Sequence, residues 1–77
     1  MNSNLNATEL VKLGKALRLF REQLHLSQEE LADISNLHRT YIGGIERGER
    51  NPSILSLMKI TTRIGITLKE LFNEAGI

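Results

Sequence analysis

Between Ser27 and Arg50 the chain gathers side chains whose chemistry is recognition rather than reaction: Gln28, then His38, Arg39, Thr40 and Tyr41 in succession, then Arg47 and Arg50. A guanidinium presents a planar fork of donors that matches guanine O6 and N7 or a phosphate, and a threonine presents a hydroxyl beside a methyl. Such groups at the start of a helix suit a nucleic-acid groove. Reaction chemistry has no comparable footing. His25 and His38 lack a nucleophile or an acidic partner at readable spacing, and with scattered Asp and Glu they do not make up the ligand set of a metal. No catalytic group, metal or cofactor is therefore expected. Gly43-Gly44 is not a phosphate loop, because it falls inside a helical pattern and not between a strand and a helix.

Two short helices have to hold these groups. Leu31, Ala32, Leu37, Ile42 and Ile45 fall where two crossed helices and the elbow between them share one core, which leaves Gln28, Arg39, Thr40 and Tyr41 outward. Asn36, at the elbow, adopts the left-handed conformation more cheaply than most residues. Helix starts are marked by a short polar residue three positions before a Glu, a pair that satisfies two orphan amides reciprocally: Asn6 with Glu9, Ser27 with Glu30, Thr67 with Glu70. Asn51-Pro52-Ser53 marks another start, with Ser53 as its cap, and the remaining helix begins near His38. Gly48 and Gly65 stand where left-handed C-terminal caps are wanted. The pattern predicts an all-α fold of five helices, at about 7–24, 28–35, 38–47, 53–64 and 68–75, and no strand.

Within the first helix, Leu10, Leu13, Leu17, Phe20 and Leu24 share the face expected to be buried. Arg21 lies only about 40° from Leu17, at the edge of that face. Either Glu46 pairs with it, or its stem covers apolar surface while its head reaches water. Two interior glycines together cost about 2 kcal/mol relative to Ala. Gly43-Gly44 must answer that cost, either by close approach of the backbone at Gly43 to a duplex or by tight packing against the second helix. The last helix and tail bring Leu68, Leu71, Phe72, Ala75 and Ile77, more apolar surface than a terminal helix needs for docking. Leu68, Leu71, Phe72 and Ile77 are expected to join two copies in a homodimer.

With 77 residues the chain has room for one domain, in which residues 1–6 are expected to form a flexible tail, and its core is marginal unless a partner covers more apolar surface. Cysteine is absent, so neither disulfides nor thiolate metal sites contribute. The formal charge of +1 means that affinity for nucleic acid has to come from local placement of charge and shape. No apolar run is long enough to span a membrane, and Met1-Asn-Ser-Asn-Leu-Asn6 lacks the features of a signal peptide. These features predict a cytoplasmic protein with no membrane partner and no small-molecule ligand.

Residues 26–52 resemble the Cro/CI (XRE-like) type of helix-turn-helix, the family of phage repressors and their small bacterial relatives. The likeness rests on Leu26-Ser-Gln-Glu-Glu-Leu-Ala32, Tyr41-Ile42, Ile45-Glu-Arg-Gly48 and Asn51-Pro52. It extends more loosely to Leu17-Arg-x-x-Arg21 and to Ile60-x-x-x-Ile64-Gly-Ile66 and Leu71-Phe72. The segment from His38 to Asn51 is similar, more closely still, to the controller proteins of restriction-modification systems. The resemblance implies a lambda-repressor-like domain that binds an inverted-repeat operator in double-stranded DNA as a homodimer, with recognition helices about 34 to 36 Å apart. It also implies that Gln28 contacts phosphate and braces the recognition helix, and that Arg39 and Thr40, beside His38, reach base edges. Arg47, Arg50 and Asn51 would run beside the DNA backbone, with Arg50 able to meet a base instead. Tyr41 is read as a phosphate contact, with partial core as the alternative. Ser53 is read as a cap whose helix terminus could also accept a phosphate oxygen. A phage-type repressor or an antitoxin regulator fits the same residues, and a protein-interaction module that kept the fold fits them less well.

Overall fold

A computed structural model describes residues 5–77. Its five helices are α1 (Ala7–Gln23), α2 (Gln28–Ser35), α3 (Arg39–Glu46), α4 (Ile54–Ile64) and α5 (Leu68–Ala75), and no strand occurs among the described residues. The three expected capping boxes are present. The Asn6, Ser27 and Thr67 side chains accept from the amides of Glu9, Glu30 and Glu70, whose carboxylates accept in return. In the box that opens α2, hydrogen bonds from the Ser27 amide and then its hydroxyl hold the Glu30 carboxyl below the usual carboxylate range. That contribution is therefore present above the ordinary pKa of Glu and fades as pH falls through the lowered value. Ser53 caps α4 through the Ser56 amide at 3.0 Å, and the Nδ1 of His38 caps α3 by accepting from the Thr40 amide at 3.1 Å.

All five helices end in the same turn. His25, Asn36, Gly48, Gly65 and Gly76 have left-handed φ of 55° to 76°. The next residue then donates its amide back to the carbonyl five positions earlier, as in Leu26 to Arg21, Leu37 to Ala32, Glu49 to Gly44, Ile66 to Thr61 and Ile77 to Phe72. This is the Schellman arrangement, which satisfies orphan carbonyls and redirects the chain within two residues. Leu26, Leu37 and Ile66, each just past such a turn, fold back onto the core. The turn at His25 corrects the expected face of α1. Leu24, expected in the core, is the C-cap and is 48% exposed, and Leu26 takes the inward place.

The core is built from Leu13 and Leu17 of α1, Leu31 of α2, Ile42 and Ile45 of α3, Leu57 and Ile60 of α4 and Leu71 of α5. α1 lies against α3 and α5, and α2 lies against α3 and α4. Leu71 is 0% exposed, so it belongs to the protomer core and has no surface to offer a second copy; its place in the expected dimer contact is corrected. Leu68 and Phe72 pack half-buried on the same core, and Ile77 stays exposed. Leu5 also packs on the core and Asn6 caps α1, which corrects the expected tail at those two positions; residues 1–4 of that tail lie outside the described residues.

Two contacts join α1 to the end of α3. Gly14 is buried where the helices meet: a Cβ there would stand 2.5 Å from the Glu46 carbonyl oxygen and closer still to that of Ile45. About two turns further along α1, Arg21 settles the alternative left open by its position. Its Nε and Nη2 donate to the two carboxylate oxygens of Glu46 at 2.7 and 3.0 Å, and its Nη1 donates to the Leu26 carbonyl at 2.8 Å. Both residues are buried. The hydrogen bond to Glu46 raises the Arg21 pKa despite burial, with the charges of Glu46 and Glu22 adding to it.

Gly14→Ala should destabilise the domain by about 1 to 3 kcal/mol, because a backbone contact cannot move aside, even though Ala gains about 1 kcal/mol in helix propensity. Urea unfolding decides; a variant as stable as the parent would mean that the two helices are free to part. Glu46→Ala should cost about 3 to 5 kcal/mol by stranding a buried guanidinium. A melting temperature unchanged to within a degree or so would show that the pair carries no stability.

Candidate nucleic-acid interface

The His38 cap fixes where α3 begins, and Ile42 and Ile45 fix which side faces in. At about 100° per residue the opposite side carries Thr40, Gly44 and Arg47 within a narrow arc, flanked by Gly43 and Arg39. Arg39 and Thr40 are exposed on the first turn, where a helix entering a groove meets base edges first. Arg39 is not idle: its Nη1 stands 3.4 Å from Glu29 Oε2 of α2, with both side chains about two-thirds exposed at 67% and 66%. Likewise Arg47 Nε pairs with Glu49 Oε1 at 3.1 Å. Exposed pairs of this kind contribute about 0 to 1 kcal/mol and open readily when a better anion arrives.

Gln28, at the first position of α2, is half-buried and tied to α3: its Nε2 donates to Glu46 Oε1 at 3.0 Å. The bracing expected of it is thus present, through the same carboxylate that holds Arg21. Its amide is oriented by this bond, and Oε1 is left over Gly43, 3.3 Å from where a Cβ would be. Arg47 Nη1 lies 2.9 Å from the same point.

Gly43 is buried beneath these two side chains. The room it leaves is filled by Gln28 and Arg47, which is closer to the packing alternative than to the contact one. For Tyr41 the structure shows the partial-core alternative. Its ring is half-buried against the core, and its hydroxyl accepts from the Ser53 amide at 3.4 Å, linking the recognition helix to the start of α4. The Ser53 hydroxyl accepts from the Ser56 amide and donates to the Ser56 hydroxyl, both at 3.0 Å, as a capping residue does. Arg50 and Asn51 are exposed in the loop beyond α3.

Gln28, Arg47 and Arg50 are thus gathered around the glycine pair, Arg39 and Thr40 stand one turn above, and Tyr41 and Ser53 meet at the flank. Three further residues take part that were not named as site residues from sequence. Glu29 and Glu49 answer two of the arginines, and Gly44 lies under Arg50. The carboxylates had a signal in their charge and nearness; the glycine had only its helix-breaking character.

A helix-turn-helix family model (HTH_3) matches residues 17–71, which takes in every element from the second half of α1 to the middle of α5. Control protein C.MunI of a Mycoplasma species is 45% identical over 65 residues, 83% of this chain and 88% of that protein. Control protein C.SmaI of Serratia marcescens is 40% identical over 65 residues, 84% of this chain and 77% of that protein. Among solved structures, the restriction-modification controller protein C.AhdI from Aeromonas hydrophila superposes with a TM-score of 0.79 at 48% identity, covering 80% of this chain and 94% of the other. Geometry and likeness agree: the chain belongs to the helix-turn-helix family HTH_3 of DNA-binding transcriptional regulators, among the relatives of the restriction-modification control proteins.

Proposed function

We propose that this protein is the controller of a restriction-modification operon, acting in the cytoplasm as a homodimer on an inverted-repeat operator in double-stranded DNA. The observation that carries this reading is the first turn of α3: Arg39 and Thr40 are presented outward on a helix whose other end is locked to α1 and α2 by one buried carboxylate. A groove-reading helix needs such rigidity, since a base contact is lost by small displacements. In this reading Arg39 and Thr40 meet base edges, with His38 setting their position as the cap. Gln28, Tyr41 and Arg47 meet phosphates, and Arg50 and Asn51 approach the duplex from the loop. The α4 terminus capped by Ser53 lies beside the DNA backbone.

For the second copy, the exposed apolar surface favours α4 over α5. Ile54, Leu55 and Met58 are 56%, 66% and 48% exposed. Leu55 and Met58 line an open groove of about 440 Å³ with Asn36, Lys59 and Ser35, and the Ser35 hydroxyl is buried without a hydrogen-bond partner among the described residues. Ile54, one turn before Met58 on α4, lines a smaller hollow with Phe72, Leu5 and Pro52. A two-fold dimer over α4, with Phe72 and Ile77 at its margin, covers these apolar groups.

The direct test is footprinting on DNA upstream of the protein's own gene and of a neighbouring methyltransferase or endonuclease gene. Protection of two symmetric half-sites supports the reading, and uniform weak binding to every fragment rejects it. Arg39→Ala should lower operator affinity by about 1 to 3 kcal/mol and relax preference at one base pair per half-site. An equal loss on all sequences would make Arg39 a phosphate contact. Arg47→Ala should do just that, weakening binding broadly and flattening the salt dependence by about one unit of slope per half-site. The double variant Leu55→Ser with Met58→Ser should sediment as a helical monomer and lose most operator affinity, because linked half-sites gain by effective concentration. If it stays dimeric, α4 is not the interface.

A further inference from the structure

Gly44 lies on the outward arc of α3 with Thr40 and Arg47, yet it is buried. What covers it is Arg50. A Cβ built at Gly44 would stand 2.5 Å from Arg50 Cγ and 3.6 Å from both Arg50 Cβ and Arg50 Cδ, and these are the three nearest atoms beyond the adjoining residues and the backbone of its own helix. The aliphatic stem of Arg50 therefore lies across the bare backbone of the recognition helix. The backbone holds it there. The Gly44 carbonyl accepts from the Glu49 amide at 2.9 Å and from the Arg50 amide at 3.2 Å, and Gly48 at φ +75° makes the reversal that brings them back.

We infer that Gly44 is a positioning residue for DNA recognition: by having no side chain it seats the Arg50 stem on the outward face of α3, so that the guanidinium is carried along the face that bears Thr40 and Arg47. This inference rests on the proposed reading of Arg50 as a DNA contact. Cγ is the middle of the stem and its root is tied to Gly44 itself, so a methyl at this position cannot be accommodated by a movement of the chain's far end. Arg50 has to leave for another χ1 rotamer, which swings the guanidinium off that face. An arginine held in one conformation before binding loses less freedom on reaching its target, which is the reason such a seat improves recognition. Two facts otherwise without a cause are thereby joined: a glycine in the middle of a recognition helix, where it weakens the helix, and a loop arginine folded back over it. Gly43 differs, since the atoms over it are the ends of Arg47 and Gln28, which can shift aside.

Gly44→Ala, Arg50→Ala and the double variant, compared with the parent, separate the possibilities. Affinity is measured by fluorescence anisotropy on the footprinted operator duplex and on a scrambled duplex, and folding by thermal melting followed by circular dichroism. Gly44→Ala is expected to melt at or above the parent, because Ala favours the helix, while losing operator affinity to about the same extent as Arg50→Ala, roughly tenfold or more. The double variant should be no weaker than Arg50→Ala alone. If Arg50→Ala loses affinity and Gly44→Ala does not, the seat is irrelevant and the inference fails, while the reading of Arg50 stands. If Arg50→Ala binds like the parent, it is that reading which fails. Additive losses in the double variant would assign Gly44 an effect of its own on the duplex, and a melting temperature well below the parent would assign it to packing; either result overturns the positioning role.

Discussion

The carboxylate of Glu46 accepts hydrogen bonds from three donors on two other helices: Nε and Nη2 of Arg21 on α1 and Nε2 of Gln28 on α2. Its own helix is α3, so one buried group sets the position of α3 against both neighbours. Apolar packing of Ile42 and Ile45 determines which side of α3 faces in, but it is non-directional and tolerates sliding along the axis. A bidentate fork does not tolerate it, since both hydrogen bonds are lost together if the helix moves by a fraction of a turn. The close meeting of Gly14 with the Ile45 and Glu46 carbonyls is the steric partner of this bond, because only with the backbones so near does the Arg21 head reach Glu46 and the Leu26 carbonyl at once.

A 77-residue chain without cysteine has little core to spend on holding surface groups in place, and the remedy here is local chemistry at every helix boundary. Each start carries a side-chain cap and each end a left-handed turn. The backbone groups that would otherwise be left unpaired at the ends of short helices are thus satisfied within the chain, and eight-residue elements such as α2, α3 and α5 become tenable once their apolar faces pack together.

Much of this was legible in the residues themselves. A polar cap three positions before Glu has one efficient use, so α1, α2 and α5 could be placed to within a residue, and an arginine at the rim of an apolar stripe either pairs with a carboxylate or carries its head to water, which made Glu46 nameable as the partner in the first case. What was not legible involved choices that periodicity cannot make. The apolar stripe of α1 continues to Leu24, and nothing in spacing says that the helix stops there; histidine is less often left-handed than glycine, so His25 gave weak notice. Leu71 and Phe72 are both apolar on one short helix, and whether each is covered by its own protomer or by another copy depends on where α1 lies. The glycine pair was visible as an anomaly, but its explanation sits in the stem of Arg50 and the ends of Arg47 and Gln28, which only the folded chain brings over it.

Charge leads to the same dependence on position. The chain carries a formal charge of +1, and two of the arginines proposed to meet DNA face carboxylates in the free protein, Arg39 with Glu29 and Arg47 with Glu49. Non-specific attraction to a phosphate backbone grows with the number of cations that displace counterions, and carboxylates among those cations subtract from it. Little affinity is then available to a duplex that merely presents phosphates. A duplex that also presents the right base edges gains directional hydrogen bonds, which depend on where each donor stands and hardly at all on net charge. In the proposed reading the discrimination between sequences is carried by the groups that fix donor positions: the His38 cap beneath Arg39 and Thr40, the Glu46 carboxylate behind Gln28, and the bare backbone of Gly44 under Arg50.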